Sequence, residues 1–171
     1  MIIETFIGVI LLFFVKTWVE LVKNEAIFIP LPINTVRKIM KAAKISKKDI
    51  VFDLGCGDGR VVIIAAKEFG CKCIGIEKSY ILSKIAEFRV KKEKLENRIK
   101  IINDDFFNIN LRKATVIFVY LSSKLNKMLE PKLKRELRNG TLILSASHKF
   151  NNFKLIKKIK TGHFYSYIYR V

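Results

Sequence analysis

The sequence predicts an α/β domain built on a doubly wound, mostly parallel sheet of seven strands, and three observations lead there. Short apolar runs alternate with helical stretches from Asp49 to Leu137, the pattern of strands joined by crossover helices. The runs themselves, DIVFDL and TVIFVYL above all, are apolar on both faces, as strands covered on both sides must be. The last two strands follow one another across Thr161-Gly162 with no helix between them, so the sheet closes with an antiparallel hairpin.

The elements follow in order. Val36, Ile39, Met40 and Ala43 recur at helical spacing, giving a helix over Ile33–Lys44. Asp49–Leu54 is a buried strand, and Arg60–Phe69 a helix ended by Gly70. Cys71–Glu77 is the second strand, followed by a helix over Ser79–Asn97 capped by Ser79. Ile99–Asn103 and Thr115–Leu121 are the third and fourth strands. Ser122–Leu137 is a helix with a basic outer face, interrupted at Pro131. Thr141–Ser147, Lys154–Lys160 and Phe164–Val171 complete the sheet. A chain of 171 residues, half of them apolar, suits one such domain and excludes a disordered or low-complexity protein.

The N-terminus stands apart. Thr5–Val15 is an uncharged run of 11 residues, short of the ~20 that span a bilayer. No basic segment precedes it and no small-residue cleavage site follows, so it makes a poor signal peptide. Trp18 between Lys16 and Lys23 suits a membrane interface facing the cytoplasm. Residues 1–23 are therefore expected to form a hydrophobic helix anchoring the protein at a membrane, with the domain that follows in the cytoplasm. The alternative is an amphipathic helix docked on the domain or on a second copy of it. Residues 24–32 are a linker kept extended by Pro30 and Pro32, and residues 33–171 form the domain.

The net charge is +18, and after Asp105 only Glu130 and Glu136 stand against 14 Lys and Arg. The basic excess suits an anionic partner, whether RNA, a phospholipid surface or an acidic protein, and does not choose between them. Cys56, Cys71 and Cys73 cannot frame a fold of this size, and neither they nor His148 and His163 stand at metal-ligand spacing. They are expected to be reduced thiols, and no metal is assigned.

The most informative stretch is Asp53-Leu54-Gly55-Cys56-Gly57-Asp58-Gly59-Arg60. A strand runs into three alternate glycines and then a helix, and Glu77 closes the next strand where a ribose diol sits in doubly wound folds. A dinucleotide fingerprint requires a third glycine where Arg60 stands, and no phosphate-cradling GxxxxGK[ST] is present. Asp53 before the turn repels phosphate and suits a ligand carrying an ammonium or sulfonium.

DLGCGDGR, followed by GIE and NDDFF, resembles the class I, seven-β-strand S-adenosylmethionine-dependent methyltransferases over Ile33–Val171. FIPLP, LEPKLKREL and SASHKF are similar to a smaller group within them. That group holds archaeal protein-lysine methyltransferases and the mitochondrial enzymes that methylate the c subunit of ATP synthase and adenine nucleotide translocase. Its mitochondrial members also carry a hydrophobic N-terminal segment. The resemblance implies a Rossmann-like fold and S-adenosyl-L-methionine as cofactor. Asp53, Gly55, Cys56, Gly57 and Gly59 would line its methionine end, Glu77 would hold the ribose hydroxyls, and Asp105 would meet the adenine amino group with Phe106 beside the ring. Asp104 is passed over in favour of Asp105.

Residues after the fourth strand face the methyl group in this class. Here they are Val119-Tyr120-Leu121-Ser122, without the Asn/Asp-Pro-Pro-Tyr/Phe of adenine and glutamine-amide enzymes and without a cysteine. A lysine acceptor must arrive neutral, which an apolar aromatic channel promotes. Tyr120, Phe28 and Phe150 are candidates for that channel, and His148 for orienting a water or accepting a proton. Tyr120 and Phe150 read equally as core aromatics, and His148 as a strand-end hydrogen-bonder. The basic residues from Lys124 to Arg138 and from Lys154 to Lys160 read as a solvated face, a lipid-facing surface or an RNA footprint. The preferred function is methylation of lysine side chains in a protein substrate. RNA methylation on the basic half is the alternative, and a non-catalytic cofactor-binding module a third reading.

Overall fold

The structure, a computed structural model, describes Gly8 and residues 28–171. The hydrophobic helix expected over residues 1–23 and the first part of the linker therefore lie outside the described residues, Gly8 apart. Among the described residues, no helix is long and apolar enough to cross a membrane.

Helix α1 (Ile33–Ala43) leads into β1 (Ile50–Leu54), α2 (Arg60–Phe69), β2 (Lys72–Glu77), α3 (Tyr80–Lys92) and β3 (Ile99–Asn103). Then come β4 (Val116–Val119), α4 (Ser123–Glu136), β5 (Leu142–Ala146), β6 (Lys154–Thr161) and β7 (Phe164–Arg170). The seven strands form one sheet in the order β3-β2-β1-β4-β5-β7-β6. β1 to β5 pair in parallel, while β7 inserts antiparallel between β5 and β6. The expected architecture is the one observed.

Alternate residues of each strand feed two cores. Val51, Val116, Phe118, Leu144 and Ile168 pack with α1, α2 and Val90 of α3 on one face. Phe52, Ile117, Val119, Ile143 and Tyr169 pack with Leu125, Leu129 and Leu133 of α4 on the other. This two-residue period is what makes the central strands apolar throughout.

Two helix ends differ from expectation for one reason. α1 and α3 stop at lysines in left-handed conformation, Lys44 and Lys94, both at φ 56°. In each, the following N–H returns to the helix, Ile45 to the Met40 carbonyl and Leu95 to the Val90 carbonyl. These are Schellman-type endings made without glycine, so α3 ends at Lys92 rather than Asn97. α4 runs through Pro131 instead of breaking there. Buried Leu129 and Leu133 on either side hold it, although Pro131 has no N–H to offer the Lys127 carbonyl.

Candidate active site

The site is assembled at the carboxyl ends of β1 to β5, beginning with the turn after β1. Gly55, Gly57 and Gly59 all have positive φ, at 78°, 55° and 77°. The Gly55 and Cys56 N–H groups both donate to the Ile76 carbonyl at 2.9 Å, which pins the turn to the end of β2. A Cβ on Gly57 would collide with the Phe28 ring, so this position needs glycine for both its φ and its neighbour. Phe28 opens a strap, residues 28–32, that lies on the turn. Cys56 packs inward instead, against Gly75 of β2, and burial pushes its thiol pKa up. Its backbone, not its sulfur, belongs to the turn.

Asp53 lies beneath the turn at 3% exposure, and its Oδ2 has no hydrogen-bond partner among the described residues. Burial, followed by the neighbouring Glu77 and Asp58 carboxylates, drives its pKa well above the ordinary value. An orphaned acid beneath the glycine turn fits a ligand that brings a positive charge.

Glu77 ends β2 with both oxygens engaged. Oε2 accepts the Gly57 N–H at 2.8 Å and Oε1 the Ser79 N–H at 2.9 Å. Each oxygen keeps a second lone pair for hydroxyl donors. At the end of β3, Asp105 Oδ1 accepts the Phe107 N–H at 3.0 Å, and Oδ2 pairs with Lys78 at 3.1 Å. Asp104 turns back to accept from the Asp105 N–H and Asn108, which leaves Asp105 as the acid beside Glu77's strand. Phe106 is half-buried, 4.7 Å from the Phe107 ring.

Sequence reasoning registered Arg60 only as a missing glycine. Its guanidinium forks onto Asp58, Nε to Oδ1 at 2.9 Å and Nη2 to Oδ2 at 2.7 Å, while Nη1 donates to the Leu31 carbonyl at 3.1 Å. Arg89 of α3 joins the same carboxylate. Burial alone would raise the Asp58 pKa, but the Arg60 hydrogen bonds and the Arg89 charge hold it below the ordinary value. Arg60 thus ties the strap to the glycine turn. Lys78 was also missed; Arg60 closes the DLGCGDGR motif and Lys78 stands one residue beyond GIE.

At the acceptor side the expected aromatic channel does not assemble. Tyr120 stacks on Phe164 with centroids 6.1 Å apart, packed against the α1–α2 core. Phe150 is 4% exposed within the α4 core, edge-on to Phe153 and Tyr169. The two lie in cores on opposite faces of the sheet, so Phe150 is a packing residue. His148 Nδ1 lies 2.8 Å from Ser123 Oγ, across the gap between α4 and β5. Ser147, before it, has φ 73°, and the His148 N–H reaches back to the Ala146 carbonyl at 3.0 Å. That is the strained γ-turn, rare outside sites that need it. The three cysteines are free and buried, and no cluster of metal-binding side chains occurs among the described residues.

Solved structures share this fold. The RNA methyltransferase from Salinibacter ruber, in complex with S-adenosyl-L-homocysteine, superposes with a TM-score of 0.81 at 28% identity, over 84% of this chain and 94% of that one. Together with the orphaned Asp53 and the acids ending β2 and β3, this defines an S-adenosylmethionine-dependent methyltransferase of Rossmann-like fold. Within that class the family model of the ANTKMT methyltransferase domain matches residues 53–157, and the chain belongs to that family. It is 37% identical over 147 residues to a protein-lysine N-methyltransferase of Saccharolobus islandicus, covering 83% of this chain and 90% of that one. It is 27% identical to the lysine N-methyltransferase of the ATP synthase c-subunit from Xenopus laevis, covering 74% of this chain but 55% of the relative. The chain thus spans nine-tenths of the archaeal relative and about half of the Xenopus one.

Proposed function

We propose that this protein transfers a methyl group from S-adenosylmethionine to lysine side chains of proteins. The observation that carries the reading is the 37% identity to the archaeal protein-lysine N-methyltransferase across nine-tenths of its length. When bound, the cofactor supplies a methyl group on a positively charged sulfur. Asp53 would take its ammonium group through the turn of Gly55, Cys56, Gly57 and Gly59. Glu77 would accept from the ribose hydroxyls, and Asp105 from the adenine amino group once Lys78 swings aside, with Phe106 against the ring.

The remaining steps fall to the acceptor side. A free lysine has a pKa of ~10.4 and must lose its proton before its nitrogen can attack. Tyr120, at the end of β4, would hold the alkyl chain in line with the methyl carbon. His148, oriented by Ser123, would receive the proton directly or through a water. Alignment supplies most of the rate in such a displacement, so no strong base is required.

A second reading, RNA methylation, is supported by the likeness to the Salinibacter enzyme and by the basic surface. Part of that surface has another explanation. Lys154, Lys157, Lys158 and Lys160 lie on β6, the exposed edge strand, where lysines deter pairing with a second chain. The deciding experiment incubates the protein with radiolabelled S-adenosylmethionine and cell lysate. Label removed by protease and found as methyl-lysine supports the first reading; label removed by RNase alone overturns it. We further propose that Ile33–Val171, with its strap, is the catalytic domain and that the apolar N-terminal run holds it at a membrane. Fractionation of the full chain against one starting near Asn24 tests that division.

A further inference from the structure

A cavity of about 460 Å³ opens between α4 and the end of β5, beside the Ser123–His148 contact. Neither the cofactor residues nor the proposed proton acceptor accounts for the rest of its lining. Lys127 of α4 and Lys149 stand on it, with Glu130, Asn151 and Tyr167. Lys127 and Lys149 are exposed, and neither is ion-paired among the described residues. Glu130 is only 7% exposed, and its Oε1 is held by the Asn152 N–H at 2.6 Å. Lys149 extends over the Tyr167 ring at 5.7 Å, which places its ammonium at the wall. The γ-turn at Ser147 is what sets His148 and Lys149 at this opening.

We infer that this cavity recognises an acidic side chain lying close to the acceptor lysine in the protein substrate, through Lys127 and Lys149. The inference rests on the lysine reading above and adds a sequence preference to it. His148, the proton acceptor of that reading, lies on this wall, so a group seated here would be a near neighbour of the lysine being methylated. The cavity is large enough for a side chain and part of its backbone. Its two accessible cations outnumber the single recessed carboxylate, and a protein of net charge +18 draws acidic partners and repels basic ones. Hydroxyls of Ser123 and Ser147 add donors that a carboxylate can use.

The test uses the full chain and synthetic peptides holding one lysine in an Ala/Gly background, with one Glu, Gln or Arg walked from three residues before it to three after. Label transfer from S-adenosylmethionine gives kcat/KM for each peptide. At one position Glu should exceed Gln by about tenfold. Lys127→Glu combined with Lys149→Glu should erase that preference and favour Arg at the same position, with cofactor affinity unchanged. Equal rates for Glu and Gln at every position, or a preference that survives the double substitution, would overturn the cavity's role while lysine methylation stands. Absence of label from every peptide, with label on RNA instead, would overturn the lysine reading and this inference together.

Discussion

Gly57 and Glu77 are joined directly: the backbone N–H of the turn donates to the carboxylate at the end of the next strand at 2.8 Å. The residue proposed to hold ribose therefore also sets the shape of the loop proposed for the methionine end. Glu77→Ala removes a ribose acceptor and frees the Gly57 and Ser79 N–H groups. Each charge-assisted bond is worth ~1.5–3 kcal/mol. Calorimetry should show S-adenosylmethionine affinity lower by about ten- to over a hundredfold. Unchanged affinity would remove Glu77 from the cofactor site.

Gly57→Ala should damage both the loop and the strap. The new Cβ meets the Phe28 ring, and the left-handed φ costs about 1–2 kcal/mol for a non-glycine residue. Thermal denaturation should show a lower Tm, and cofactor titration weaker binding. Adding Phe28→Ala should recover the steric part but not the backbone part. Full recovery would mean that φ at Gly57 is immaterial.

Asp53 gives the protein a pH signature. Its native pKa is raised by burial, so the folded state keeps the proton above ~3.9, where the unfolded chain releases it. Between those two values the native state binds more protons, and stability falls as pH rises. The Tm of the wild type minus that of Asp53→Asn should therefore increase on acidification through this window. A flat difference would contradict the raised pKa. Cofactor affinity should fall with acid in the wild type, since the proton competes with the incoming ammonium, and be weak and pH-independent in Asp53→Asn.

Tyr120→Ala and His148→Ala should each lower turnover while leaving cofactor affinity within about twofold; for His148 the loss is on the order of a hundredfold or more, the usual contribution of a positioned acid or base. The rate on lysine should climb with pH until enzyme groups limit it. A parallel loss of cofactor affinity in both variants would assign them to packing.

The cysteines should resist alkylation in the native state. All three are buried, and burial lifts the Cys71 pKa to about 11. Reaction with iodoacetamide at pH 8 should be slower than in denaturant by at least about a hundredfold, because the thiolate is the nucleophile. Rapid labelling of Cys71 would show that its end of β2 opens easily.

Strand identity, sheet class and the candidate cofactor carboxylates were legible because each has a local cause: apolar runs, alternate glycines, and acids closing strands. The resemblance prefers Asp105 to Asp104 for the proposed adenine contact, and Asp104 itself accepts from Asn108. What escaped were pairings across long separations. Nothing local in Arg60 announces the Leu31 carbonyl, 29 residues away, or in Asp58 the guanidinium of Arg89. Phe150 escaped differently. Its strand-end position is the same whether its ring enters a core or a channel, and only the packing of α4 decides.

The position of β7 bears on how the sheet is completed. It is the last strand in sequence yet an interior strand of the sheet, paired to β5 on one side and β6 on the other. β5 therefore keeps one edge bare until a strand that ends 24 residues after it, at Arg170, has folded in beside it. Any folding intermediate that lacks β7 carries an unpaired apolar edge, LILSA, open to pairing with another chain.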